Sequence, residues 1–303
     1  MCGVVGLLLR DPMLEPSLGS MLFPMIEALS ERGPDSSGIA LYADPRPGHG
    51  DPSTVTGVRI SLGSDTEVDW TTLEADLPHR GAAQLERFGA GVVVELPEER
   101  EGELHRYLAE AWPEVRVLGS GRNLSVLKDT GWPTDTCQRY GIADWQGYMA
   151  IAHTRMATES AVTVLHSHPF VPIQDLCVVH NGSFSNYASV RRWLEAGGVR
   201  FQSDNDSEVA ARFLATRLEE GDDLEQATRC VMKEMDGFFT LVISTATGLS
   251  VVRDAFAGKP AVVAETDAYV AVASEYRALA ELPDIGTARV FEPLPEEVYT
   301  WSR

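Results

Sequence analysis

The chain has 303 residues, 44% hydrophobic and 23% charged, enough for one large domain or two modest ones with a substantial core. A formal net charge of −20, answered by no basic patch, argues against nucleic acid and anionic membrane surfaces as partners, because both would repel it. The four cysteines, Cys2, Cys137, Cys177 and Cys230, have no CxxC or CxxxH spacing, so neither a zinc site nor a thioredoxin-like motif is expected. No cationic segment precedes the apolar run at 4–9, and no run reaches membrane-spanning length. The expected location is the cytoplasm, without disulfides.

In chain order, Met1-Cys2-Gly3 comes first and supports two readings. Cys2 is ordinary core if it merely opens a buried edge strand over 4–9. With Met1 removed, which a small second side chain allows, Cys2 carries a thiol and a free α-amine of reference pKa roughly 7.7–8, a nucleophile with its own general base. Residues 14–29 have apolar side chains at helical spacing, with Pro16 in the first turn. The helix should stop near Glu31-Arg32-Gly33-Pro34, with Gly33 as a left-handed cap. Asp35-Ser36-Ser37-Gly38 then turns into a strand at 39–43, and 45–54, rich in Pro, Gly and Asp, reads as a surface loop.

From 58 to 140 the pattern changes. Strands at 58–62, 91–96 and 115–118 with a helix at 99–111 suggest an inserted α/β subdomain without chemistry of its own. Gly119-Ser120-Gly121-Arg122-Asn123 resembles a phosphate loop only loosely, lacking GxxxxGK[ST].

A strand at 149–154 then delivers His153-Thr154-Arg155, where a guanidinium at a rigid strand end can fork onto a carboxylate. His166 and His168 alternate, but no third ligand stands at helpful spacing, so no metal is expected and His168 is read as facing a substrate. A strand at 176–179 leads to His180-Asn181-Gly182, a turn signal or a pair of oxyanion donors, the Asn181 amide and the Gly182 N–H. Helices follow at 183–195 and 209–218. Asp204-Asn205-Asp206 lies between them, with Ser203 or Asp204 as the cap, or with a carboxylate free to hold an ammonium group. A helix at 223–235, strands at 238–245, 250–253, 261–264 and 268–273, and a helix at 275–281 complete the chain.

Laid out together, Met1-Cys2-Gly3, Arg32-Gly33-Pro34-Asp35-Ser36-Ser37-Gly38, His153-Thr154-Arg155-Met156-Ala157-Thr158, His180-Asn181-Gly182 and Asp206-Ser207-Glu208 resemble the class II glutamine amidotransferases, a branch of the N-terminal nucleophile hydrolases. Arg253-Asp254, Gly258-Lys259-Pro260 and Ser274-Glu275 resemble later motifs of that family. The resemblance implies a four-layer αββα sandwich spanning 2–303, carrying the insertion at 58–140. It implies that Cys2 attacks the side-chain amide of glutamine, that Asn181 and Gly182 hold the oxyanion, and that Arg32-Gly33 supports the nucleophile. Arg155 would clamp the α-carboxylate and Asp206 the α-ammonium, with Thr158 and His168 as secondary pocket positions.

No cofactor is implied on this chain. Within 303 residues there is no room for an ammonia-using domain, which points to a separate synthase subunit as partner. Length, and the Gly-Arg-Asn and Lys-Asp-Thr-Gly elements within 119–141, most resemble stand-alone subunits of the glutamate-synthase-like group, N-methylglutamate synthase included. There the flavin and iron–sulfur centres sit on the partners. The competing expectations are a free-standing glutaminase and another N-terminal nucleophile amidase such as an acylase.

Overall fold

The computed structural model describes residues 1–44, 57–89, 91–157 and 161–303. The apolar run after Cys2 forms β1 (Gly3–Leu9), buried at every position because both of its faces are covered. The helix expected over 14–29 is split. Pro12–Ser17, containing Pro16, winds as a 3₁₀ segment, and α1 (Leu18–Leu29) begins only where Leu18, Leu22 and Met25 meet the sheet. Strand β2 (Ser36–Tyr42) follows.

The next elements stand apart. β3 (Gly57–Gly63), α2 (Trp70–Asp76), β4 (Gln84–Phe88), β5 (Gly91–Pro97), α3 (Glu101–Ala111) and β6 (Arg116–Gly121) build an antiparallel sheet in the order β4-β5-β3-β6. Its helices close a separate core around Ile60, Trp70, Leu73 and Leu104. The insertion therefore ends earlier than the expected 58–140. β7 (Leu124–Thr130) pairs with β2 from Ser36↔Thr130 to Tyr42↔Leu124, and α4 (Pro133–Arg139) places Cys137 in the core beside α1. The loose likeness to a phosphate loop at 119–123 has no anion site behind it. The backbone N–H groups of Arg122 and Asn123 both donate to the Asp175 carboxylate at 3.0 Å, which fills the position an anion would need. Arg59, on β3, ties the insertion to its root by donating to the carbonyls of Ala43, Asp44 and Asn123 at 3.1–3.2 Å.

The remaining elements are β8 (Met149–Arg155), β9 (Cys177–Phe184), α5 (Tyr187–Ala196), α6 (Asp206–Glu219), α7 (Leu224–Glu234), β10 (Gly237–Thr245), β11 (Gly248–Arg253), β12 (Val262–Glu265), β13 (Tyr269–Ala273), β14 (Arg289–Phe291) and β15 (Val298–Ser302). The helix expected at 275–281 is a single 3₁₀ turn, Tyr276–Ala278. Two sheets result, ordered β14-β12-β13-β1-β8-β2-β7 and β15-β11-β10-β9. Strand alternation sorts β1 cleanly. Val5, Leu7 and Leu9 pack on Leu22, Met25 and Ile26 of α1, whereas Val4 and Leu8 face Val179, Val242 and Val251 of the second sheet. Helices α5–α7 cover the far side of that sheet through Leu194, Val209, Leu214 and Val231. Helix, sheet, sheet and helix thus stack as the αββα sandwich expected. Among the described residues no helix is long and apolar enough to cross a membrane.

Two glycines test this packing in opposite directions. A Cβ on Gly19 would lie 1.9 Å from the Ile142 carbonyl oxygen, whereas one on Gly102, exposed in α3, meets nothing within 4 Å. Gly19→Ala should cost roughly 2 kcal/mol through overpacking. Gly102→Ala should gain about 0.5–1 kcal/mol from helix propensity. Urea unfolding of the two variants measures both.

Candidate active site

Cys2 stands at the open end of β1, half-buried, with its thiol 3.8 Å from the Met156 carbonyl. Three anchors fix it. Ser274 continues the pairing of β13, its N–H donating to the Val4 carbonyl at 3.0 Å and its Oγ accepting from the Val4 N–H at 3.0 Å. Gly3 lies opposite Thr154, where a Cβ would fall 2.7 Å from the threonine Oγ1. Arg32 donates from Nε to the Cys2 carbonyl at 3.0 Å and from a terminal nitrogen to Glu275. Partial burial pushes the Glu275 carboxyl up, but the hydrogen bond and charge of Arg32, with Arg277, outweigh it and hold it below the usual range. Met1 still occupies the Cys2 nitrogen here, which becomes an amine only on its removal.

Gly33 is not the left-handed cap the sequence suggests. Its φ is −144°, and glycine is required because a Cβ would lie 2.2 Å from the Thr154 carbonyl carbon. This close approach lets Pro34 bridge to Arg155, and the Asp35 N–H reach the Arg155 carbonyl at 3.0 Å. The Asp35 carboxylate then accepts from the Ala157 N–H at 2.8 Å, setting the chain just past Arg155. The Arg155 guanidinium is buried on the gap side of β8 and donates to the Ala161 carbonyl at 2.8 Å. Burial lowers its pKa, opposed by the nearby Cys2, Asp35 and Asp204. Thr158 lies outside the described residues.

Asn181 and Gly182 sit on β9, an edge strand of the second sheet. Phe239, opposite Gly182, spends its own N–H and carbonyl on Asp254 across the sheet. Antiparallel geometry therefore turns the Gly182 N–H away from β10, toward the free edge. A Cβ on Gly182, whose φ is +152°, would lie 2.1 Å from the Phe238 oxygen, so only glycine fits. The Asn181 Nδ2 is buried with no partner. Two neighbouring donors are thus unspent, which suits a developing oxyanion.

Asp206 opens α6, half-buried, and accepts from the Phe184 N–H at 2.8 Å and from the Ser207 hydroxyl at 3.2 Å. An ionised carboxylate retains room for further donors. The cap is neither Ser203 nor Asp204. Asn205 accepts from the Ser207 N–H at 2.9 Å, because Glu208 already takes the Ser203 N–H and hydroxyl and Asp204 turns out to His166.

His168 departs from the expected substrate-facing position. It is 5% exposed, stacked on His153 with ring centroids 4.0 Å apart, and packs edge-on against Phe170. Phe170 and Val178 exchange backbone hydrogen bonds of 2.9 Å along the edge of β9, and this pairing draws His168 between the sheets. Burial holds His153 near a pKa of about 3, and it also lowers His168 and His180. Sequence reading gave no role to Asp35, Ser207 or Glu275 individually; their only local signal was adjacency to residues already singled out.

The sandwich has known counterparts. An allosteric regulatory enzyme of purine biosynthesis superposes with a TM-score of 0.63 at 19% identity, covering 99% of this chain and 46% of its own. The glutamine phosphoribosylpyrophosphate amidotransferase of B. subtilis gives 0.60 at 19%, covering 100% and 49%. This chain spans about half of each. The likeness is one of fold, the αββα sandwich. A glutamine amidotransferase domain model matches residues 153–281, the segment holding Arg155, Asn181, Gly182 and Asp206. The glutamine amidotransferase-like protein GlxB of Rhizobium meliloti is 44% identical over 303 residues, 99% of this chain and 98% of that protein. The chain belongs to the glutamine amidotransferase family.

The buried histidines carry a pH signature. Between about 6.5, the ordinary histidine value, and about 3, the unfolded chain protonates His153 while the folded chain does not. Stability is therefore fully present above that window and lost as pH falls through it, at roughly 1 kcal/mol per pH unit per histidine. Urea unfolding across this range should give His153→Asn a shallower pH slope than the wild type. Equal slopes would refute the assignment.

Proposed function

We propose that the chain hydrolyses the side-chain amide of glutamine through a thioester on Cys2 and passes the ammonia to a separate synthase subunit. The observation carrying the reading is the pair of unspent donors at Asn181 and Gly182, on the strand that packs across from β1 and β8, which bear Cys2 and Arg155. After removal of Met1, the Cys2 amine takes the thiol proton as sulfur attacks the amide carbon. Asn181 Nδ2 and the Gly182 N–H receive the oxyanion. The C–N bond breaks, the amine returns its proton to the departing nitrogen, and ammonia leaves. Water then cleaves the thioester to glutamate and restores the thiol. Arg155 forks onto the substrate α-carboxylate, and Asp206 accepts its α-ammonium. Arg32, held by Glu275, fixes the Cys2 carbonyl and so the direction of attack.

The separate acceptor rests on the resemblance of the chain to stand-alone subunits of the glutamate-synthase-like group. The acceptor we assign is a glutamate-synthase-like subunit, of the N-methylglutamate synthase kind, bearing the flavin and iron–sulfur centres itself. The elements within 119–141 support that choice.

Glutamate release by protein whose mass shows Met1 removed tests the reading. Cys2→Ala should abolish it with the fold intact. Asn181→Ala should lower kcat by about 10²–10³. Arg155→Ala should act mainly on KM, and an unchanged KM removes the clamp. Full turnover unaffected by any partner would identify a free-standing glutaminase instead.

A further inference from the structure

The Lys-Asp-Thr-Gly element at 128–131 takes no part in the hydrolytic scheme, and its lysine is buried. Lys128 lies on β7, 6% exposed, with its Nζ 5.1 Å from the centre of the Phe170 ring. Its ammonium makes no hydrogen bond or ion pair among the described residues. The ring offsets only part of the cost of taking an ammonium out of water. Glu208 lines the same cavity, but its carboxylate already serves the Ser203 N–H and hydroxyl at 2.7 and 2.8 Å, the Gln202 N–H at 2.9 Å and the Arg212 guanidinium at 3.1 Å. Burial therefore pulls the Lys128 pKa down to about 8, opposed by Cys177, Glu208 and Asp65.

This side chain borders open space. With Phe170, Glu208 and Arg212 it lines a neck of about 20 Å³, room for one oxygen-sized group. Val117, Val171, Pro172, Gln202 and Arg212 line both this neck and a wider groove of about 560 Å³, between the insertion and α6. The shared wall is apolar at Val117, Val171 and Pro172, while Glu101 and Glu219 border the groove alone. None of Cys2, Arg155, Asn181 and Asp206 lines either space, so this is not the proposed glutamine pocket.

We propose that neck and groove together bind a short aliphatic monocarboxylate, with one oxygen at the Lys128 ammonium and the hydrocarbon chain along Val117, Val171 and Pro172. Lys128 and Arg212 bring two positive charges to the neck against the one negative charge of Glu208, so an anion is favoured there. The apolar wall favours a hydrocarbon body over a fully hydrated anion such as phosphate. A second carboxylate on the ligand would meet Glu101 and Glu219 and be repelled.

The sequence holds three lysines, Lys128, Lys233 and Lys259, so nuclear magnetic resonance of the full-length chain labelled with ¹³C at the lysine ε-carbons gives three signals to follow. Lys128→Met identifies the Lys128 signal by its loss. Sodium butyrate should shift that signal saturably in the wild type and move its titration midpoint upward from about 8, because a carboxylate partner favours the charged amine. Sodium chloride at the same concentration should leave it in place. Val171→Glu, which puts a carboxylate on the wall and keeps Lys128, should weaken butyrate binding at least about tenfold. Absence of a saturable butyrate shift overturns the proposal, as does an equal shift with chloride or undiminished binding by Val171→Glu. Succinate binding as tightly as butyrate overturns the assignment of a monocarboxylate. The measurement needs neither glutamine nor removal of Met1, so its failure is distinct from failure of glutamate release.

Discussion

The bond from Arg32 to the Cys2 carbonyl is the constraint on which the site depends. A cysteine at a chain end has no preceding structure to hold it, and a nucleophile free to swing loses most of the advantage of being near its target. Here the guanidinium fixes the carbonyl on one side while Glu275 fixes the guanidinium on the other. The two anchors come from opposite ends of the sequence, and they meet because β13 runs beside β1. A planar fork suits this duty better than an ammonium, since it serves two acceptors in fixed directions.

Much of the architecture was legible because burial imposes period on sequence. The strands at 58–62 and 238–245 were readable from composition and turn residues, as was the helix at 223–235, which Asp223 caps through a capping box. Local reading failed where the decisive neighbour lies far along the chain. Gly33 looked like a helix cap, yet the atom that forbids a side chain there belongs to Thr154. Three consecutive polar residues, Ser203, Asp204 and Asn205, can all cap a helix, and the choice falls to whichever is not engaged elsewhere. His168 read as facing a substrate, because nothing local reveals that Phe170 borders β9. In the site, His180-Asn181-Gly182 reads locally as a turn or a donor pair, and the outward direction of the Gly182 N–H follows only from the pairing of Phe239 with Asp254.

The sandwich also reconciles a polar site with an apolar interior. Val4, Leu8 and Val179 seal the middle of the gap, and the polar groups of the site gather where the strands β1, β8 and β9 run out. The neutral state of the histidines there is a product of that seal, since burial disfavours the charged ring. Electrostatic contacts at this end are correspondingly stronger than at the highly charged surface, where water screens them.

The insertion shows how such a domain can vary without disturbing its chemistry. Tyr42 and Leu124 face each other in register, so the path of the chain out of the main sheet and the path back in begin side by side. Closing a short turn there and closing a long excursion differ little in entropy, because that cost grows only with the logarithm of length. Arg59, reaching three carbonyls at the neck, supplies the orientation that the neck alone does not. The same frame is therefore open to outgrowths of quite different size at one seam, remote in sequence from both Cys2 and Asn181.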